Sequence, residues 1–218
     1  MKFSFLKESF RLINGSFSFI PGLWAFSRLQ QPIISVFGGR EVEKNSVYAQ
    51  KAYQLGVKLA QNKMSVITGG GPGIMEATHC GVVSIYGDKR ERDKWTLGIG
   101  VKGVDEEFCS HCTRIIFVNY FFIRRWLLTR YSAAYVVFPG GIGTLEELFE
   151  VLDLVRHGKL SERPVILIGK DYWKVLLDWY YDTAIKEGLI PPERQATFSV
   201  TDDIDEAVAL IVKSVKND

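Results

Sequence analysis

A single doubly wound, Rossmann-like α/β domain, with a mostly parallel sheet and helices on both faces, is the fold this sequence predicts. Two observations carry the prediction. Short, almost wholly apolar runs alternate along the chain with segments of helical periodicity, and glycine clusters at 38–39, 69–73 and 140–143 each follow one of those runs. Strands covered on both faces read as continuous apolar runs, and their alternation with helices points to parallel crossovers. In such sheets a ligand binds outside the strand carboxyl ends, so three glycine clusters placed there predict one composite crevice.

Each element follows from its own pattern. Residues 1–31 form an extension: Phe3, Leu6, Phe10 and Ile13 keep helical spacing, with Lys7, Glu8 and Arg11 on other faces. A second apolar patch, Phe17, Phe19, Ile20, Leu23, Trp24 and Phe26, is interrupted by Pro21 and Gly22. The plainer reading is an extra helix packing on the domain or on a neighbouring subunit; the alternative is weak association with a membrane surface. The domain proper occupies 32–218. Its strands are expected at 33–37, 64–68, 96–101, 114–118, 134–138, 164–168 and 197–200. Helices are expected at 47–62, 74–86, 120–132, 144–157, 172–186 and 203–215, with a charged interval at 88–94 and a loop at 102–113. No repeat, low-complexity segment or linker divides the 218 residues.

Composition excludes several function classes. A formal charge of +2, from 27 basic and 25 acidic residues, leaves no polyanion footprint, so no nucleic-acid partner is expected. No run approaches the ~20 apolar residues of a membrane span. Three cysteines, an odd number, argue against a disulfide framework and fit a reducing cytoplasm. Cys109-Ser110-His111-Cys112 looks like half a zinc site, but no second Cys/His pair accompanies it, so no metal is expected.

The glycine clusters narrow the ligand further. Gly69, Gly71 and Gly73 lack the G-x-G-x-x-G spacing, and the next strand, 96–101, ends without the acidic residue that would hold a ribose, which disfavours a nicotinamide cofactor. No Lys-Ser or Lys-Thr follows any cluster, which disfavours a P-loop. There is no G-x-S-x-G elbow, and His79, His111 and His157 have no evident nucleophile partner. Carboxylates and arginines are left to carry chemistry.

Pro139-Gly140-Gly141-Ile142-Gly143 at a strand-to-helix turn predicts an anion site, most often for phosphate, because the backbone approaches closely and the helix N-terminus offers free N–H groups. Glu147 sits beside it. Thr144-Leu145-Glu146-Glu147 also matches a T-x-x-E capping box, so local pattern alone favours Glu147 as a cap reaching back to Thr144. The glycine-rich turn before it shifts the balance, because it brings a ligand to the same helix end. Arg124 and Arg125 fall early in the helix after strand 114–118, where the macrodipole disfavours cations and an anionic partner is suggested.

With these segments together, the chain resembles the LOG family, once labelled "lysine decarboxylase-like". That family carries P-G-G-x-G-T-x-x-E downstream of an Arg-Lys pair, matched here by Pro139–Glu147 and by Arg124-Arg125. Gly38-Gly39 and the stretch Gly69-Gly70-Gly71-Pro72-Gly73-Ile74-Met75-Glu76-Ala77 match its other ligand loops, and the likeness covers 33–213. The resemblance implies hydrolysis of the N-glycosidic bond of a nucleoside 5′-monophosphate, AMP-like or a cytokinin riboside monophosphate, without cofactor and as a homodimer. It implies Arg124 and Glu147 as the catalytic pair, and Gly140, Gly141, Gly143 and Thr144 as the phosphate grip. Gly39, Gly70, Gly71, Glu76, Arg125, Ile142, Leu145 and Glu146 are implied as further substrate contacts. The sequence departs from the family at Phe121-Phe122-Ile123, in place of Met-His, and at Arg125 in place of Lys; Phe121 and Phe122 offer rings to stack on a base. Glu76 points to a bacterial-type, non-hormone substrate, and Asp105-Glu106-Glu107 falls where the family often places a ligand-contacting Glu. Two rivals remain. One is a nucleotide-binding sensor or carrier without hydrolysis. The other is lysine decarboxylation, which needs a Schiff-base lysine that no glycine loop supplies.

Overall fold

The structure, a computed structural model, describes residues 2–104, 108, 113–191, 195 and 197–216, with 2–4, 8, 11 and 14 described by backbone alone. The acidic cluster at 105–107 and the stretch 109–112 lie outside the described residues. Two helices open the chain, α1 (Lys2–Ser16) and α2 (Phe19–Phe26). Then come β1 (Ile33–Phe37), α3 (Val47–Gln61), β2 (Ser65–Thr68), α4 (Ile74–Tyr86), α5 (Lys89–Trp95), β3 (Thr96–Val101) and β4 (Arg114–Val118). The second half comprises α6 (Phe121–Arg130), β5 (Ala134–Val137), α7 (Ile142–Arg156), β6 (Val165–Ile168), α8 (Lys170–Trp179), β7 (Ser199–Thr201) and α9 (Ile204–Val215). Beyond Trp179, α8 continues as a π-helical segment, Tyr180–Ile185.

The strands form one seven-stranded sheet in the order β4-β3-β2-β1-β5-β6-β7. Every pairing is parallel, so the sheet is wholly rather than mostly parallel. Strand order reverses between β1 and β5, which pair from Ile34↔Ala134 to Phe37↔Val137. The loops leaving these two strands therefore flank the switch point, where the chain parts to opposite sides and leaves a crevice.

Side-chain alternation along the central strands divides the interior into two cores. Ile33, Phe37, Tyr135 and Val137 face Phe26 of α2, Ile123 and Leu127 of α6, Leu148 and Val151 of α7, and Trp173 of α8. Ile34, Val36 and Val136 face Leu55 and Leu59 of α3, Val82 of α4, and Ile211 of α9. β1, β2, β3, β5 and β6 are buried throughout, whereas the edge strands β4 and β7 are partly exposed. This explains why the central strands are apolar runs.

Two local readings are corrected. The charged interval at 88–94 is helical: Asp88 caps α5 by accepting from Arg90 N at 2.9 Å. Pro21 and Gly22 do not interrupt α2, because Pro21 sits in the first turn, where its missing N–H costs no intrahelical bond. Cys80 is disulfide-bonded, which corrects the expectation that the cysteines stay out of disulfides and removes the thiol count as an argument for a reducing compartment. A count says nothing about which cysteines the fold brings together.

The crossing of α3 and α4 depends on two glycines. A Cβ at Gly56 would lie 2.0 Å from the Thr78 carbonyl oxygen, and one at Gly81 would lie 2.1 Å from that of Tyr53. The obstacle is backbone in both cases, so it cannot swing away. Gly56→Ala is expected to destabilise the fold by about 1–3 kcal/mol through overpacking, outweighing the ~1 kcal/mol that alanine gains in helix propensity. Urea unfolding would register this as a lower midpoint at unchanged slope; a higher midpoint contradicts it.

Candidate active site

The three glycine loops are tied together by main chain. Gly39 N donates to Pro139 O at 2.9 Å, and Ile74 N donates to Gly39 O at 3.2 Å. No side chain fits between them. A Cβ on Gly140 would meet Thr144 Oγ1 at 2.2 Å and Gly39 N at 2.7 Å, and one on Gly73, at φ +68°, would meet Gly39 O at 2.4 Å. Together they floor a cleft of about 620 Å³ at the β1/β5 switch point. Of the residues singled out from sequence, Gly39, Gly71, Arg124, Gly140, Gly141, Ile142, Gly143, Thr144 and Glu147 line it.

Helix α7 begins at Ile142, with Gly141 in the cap position and no side-chain cap bond. Thr144 N and Leu145 N both donate to Gly141 O at 3.1 Å and start the helix three residues earlier than the T-x-x-E pattern, with Thr144 as its cap, suggests. Thr144 is thus an interior first-turn residue, and Glu147 lies in the second turn, beyond reach of a capping box. That reading is overturned. The first turn faces the cleft with Gly141 and Gly143, both with open space where a Cβ would be, an arrangement suited to an anion.

Glu147 instead bonds across to α6. Arg124 Nη2 donates to Glu147 Oε1 at 3.2 Å, and both side chains are nearly buried, at 13% and 12% exposure. Burial pushes the Glu147 carboxyl up to about 7; Arg124 pulls it down and Glu146 adds a smaller push upward. A carboxyl poised near neutrality beside a fixed cation can act as base, acid or charge stabiliser. The room for Arg124 comes from Gly69, where a Cβ would lie 2.3 Å from Nη2. Arg124 Nε is buried with no partner among the described residues, so the guanidinium has donor capacity beyond Glu147.

Other sequence-derived candidates fall elsewhere. Arg125 points away and bridges Glu146 at 2.7 Å and Glu150 at 2.6 Å. Leu145 packs against the core beneath α7. Gly70 is buried at φ +78° with a Cβ position 3.2 Å from Gly98 Cα, where it shapes the loop after β2. Glu76 faces a separate groove with Gln50 and Tyr53, paired to Lys44 at 3.3 Å. Conversely, Arg40, Tyr172 and Met75 line the cleft alongside Phe121. Tyr172 donates its hydroxyl to Gly140 O, tying the start of α8 to the glycine loop. Arg40 and Tyr172 belong to no motif; their signal is position alone, since each follows the carboxyl end of a strand, β1 or β6.

Among known proteins, the profile of the family described as "Possible lysine decarboxylase" matches residues 75–211. A protein of Arabidopsis thaliana named cytokinin riboside 5′-monophosphate phosphoribohydrolase is 33% identical over 171 residues, which cover 73% of this chain and 71% of that protein. The chain belongs to the LOG family. Another LOG relative, of Rhodococcoides fascians and with the same name, is 28% identical over 185 residues, 82% of this chain and 88% of its own. Among solved structures, a molybdenum cofactor binding protein of Rippkaea orientalis superposes with a TM-score of 0.59 at 22% identity, covering 84% of this chain and 97% of that one. A Moco carrier protein of Chlamydomonas reinhardtii gives 0.56 at 21%, covering 85% and 98%. These two establish that the LOG fold seen here is shared.

Proposed function

We propose that this LOG-family chain is a nucleoside 5′-monophosphate phosphoribohydrolase. Water replaces the base at C1′ of the ribose; the N-glycosidic bond breaks, and the products are free base and ribose 5-phosphate. The observation that carries this reading is the nearly buried Arg124–Glu147 pair, which lines the same cleft as the glycine-bounded start of α7. The first turn of α7, with Gly140, Gly141, Gly143 and Thr144, takes the phosphate. Glycosidic cleavage passes through an oxocarbenium-like state, so an ionised Glu147 beneath the ribose stabilises that charge and orients the attacking water. Arg124 keeps Glu147 ionised against burial. Phe121 and Met75 offer the base an apolar wall. Phosphate binding at a distance from C1′ positions the ribose, so a nucleoside lacking phosphate reacts much more slowly.

The test is release of free base, with equimolar ribose 5-phosphate, from AMP, other monophosphates and a cytokinin riboside monophosphate. Base release from at least one of them is expected. Tight binding of monophosphates with no release from any would instead mark a nucleotide carrier. Lysine decarboxylation is disfavoured by residue type, because no described residue lining the cleft is a lysine.

The same reading has a cytoplasmic homodimer acting on a small molecule rather than on nucleic acid. Support for pairing comes from Phe149 of α7 and Trp179 of α8, which are exposed along one groove. The near-balanced charge speaks against a polyanionic partner.

A further inference from the structure

We propose that the α1–α2 pair lays this chain on the surface of an anionic lipid bilayer. The pair is firmly attached to the domain at one end. Ala25 and Phe26 are buried, Arg114 Nη2 donates to Ala25 O at 3.0 Å, and a Cβ on Gly22 would lie 2.7 Å from Leu127 Cδ1. The turn between the helices is held as well: Asn119 N donates to Ser18 Oγ at 3.2 Å, and a Cβ on Gly15 would lie 2.0 Å from the Tyr120 ring. These contacts fix where α1 starts from the body of the protein.

The outward side is apolar. Phe5, Leu6, Phe10, Leu12 and Ile13 of α1 are each about half exposed or more, and so are Phe17, Ile20 and Trp24 after them. Leu6, Phe10, Ile13 and Phe17 recur at the spacing of one helical stripe. A group this dense on a surface marks an interaction site. Fifteen residues of helix span about 22 Å, short of the ~30 Å hydrocarbon core. No helix among the described residues is long and apolar enough to cross a membrane. A helix of this kind lies in the interface with its apolar side down.

Charge selects the lipid over a second copy of the chain. Residues 1–31 carry four basic residues, Lys2, Lys7, Arg11 and Arg28, against one acidic residue, Glu8, while the rest of the chain carries 23 and 24. Two copies joined through this segment would bring two segments of net positive charge together, whereas anionic headgroups complement that charge. The Arg28 guanidinium sits 3.6 Å over the Trp24 ring, pairing a cation with an exposed indole as at a headgroup boundary.

Sedimentation of the full chain with vesicles tests this, using phosphatidylcholine alone and an equimolar mixture with phosphatidylserine. The chain is expected to pellet with the mixture, far less with phosphatidylcholine, and less as salt rises. A double variant, Phe10→Glu with Ile13→Glu, is expected to lose vesicle binding about tenfold or more while keeping its circular dichroism and melting temperature. Absence of pelleting with the mixture overturns the proposal, as does pelleting that the double variant retains. It is equally overturned if the chain elutes as an oligomer that the double variant dissociates, since the face is then covered by a second copy.

Discussion

Glu147→Gln is expected to lower turnover of a nucleoside 5′-monophosphate by about 10²–10⁴-fold, the usual range for a positioned acid–base group, with binding of the monophosphate changed only a few-fold. The amide keeps the shape and the acceptor facing Arg124 but cannot carry charge toward C1′. The same substitution has a thermodynamic signature that is independent of substrate. In the unfolded chain the carboxyl loses its proton near 4.5; in the fold it keeps it until about 7. Between those values the native state holds more protons, so raising pH favours unfolding by up to about 1.4 kcal/mol per pH unit. Glutamine has no such proton. The variant should therefore gain on the native chain as pH rises from 4.5 to 7, with a flat difference on either side. Parallel urea titrations across that interval measure it. A stability difference that stays constant with pH means that Glu147 titrates in the fold as it does in water.

Gly69→Ala is the second large effect, and it acts at a distance from any substrate. The added methyl would sit 2.3 Å from Arg124 Nη2, the far end of a flexible side chain, so the guanidinium yields rather than the backbone. The 3.2 Å bond to Glu147 breaks, and burial then drives the carboxyl further above about 7. Each unit of that rise removes about tenfold of the ionised form at neutral pH. Activity at pH 7 is expected to fall about tenfold or more by that relation and to recover in part at alkaline pH. Recovery of this kind is not expected from a fold that is merely loosened. A pH–rate profile superimposable on the native one would refute the coupling.

The central strands were legible because burial on both faces makes them largely apolar, and the predicted run at 33–37 coincides with β1; the edge strand β4, partly exposed, also falls at its predicted 114–118. Helix α5 was not legible, since Lys89–Trp95 has no apolar stripe and forms on the strength of its Asp88 cap. The start of α7 misled for a different reason. Thr144 and Glu147 satisfy a local capping pattern, but the partner that claims Glu147 is Arg124, on another helix. Local pattern cannot weigh such a competitor. Arg125 and Glu146 neighbour the cleft residues in sequence, yet helical geometry turns them to the opposite side, where they pair with each other. Arg40 and Tyr172 went unnoticed because they come from separate connections and meet only at the cleft.

The cleft is floored by main chain, where Gly39 N donates to Pro139 O and Gly39 lies too close to Gly140 to admit a side chain there, while Met75, Phe121, Arg40 and Tyr172 contribute side chains to its lining. A floor of backbone has no side chains to exchange, so mutation cannot easily rewrite what it holds. The walls are free to vary. Sequence drift in this lineage would then act as a change of lens on a fixed mount, redirecting which base is accepted while the sugar phosphate stays seated.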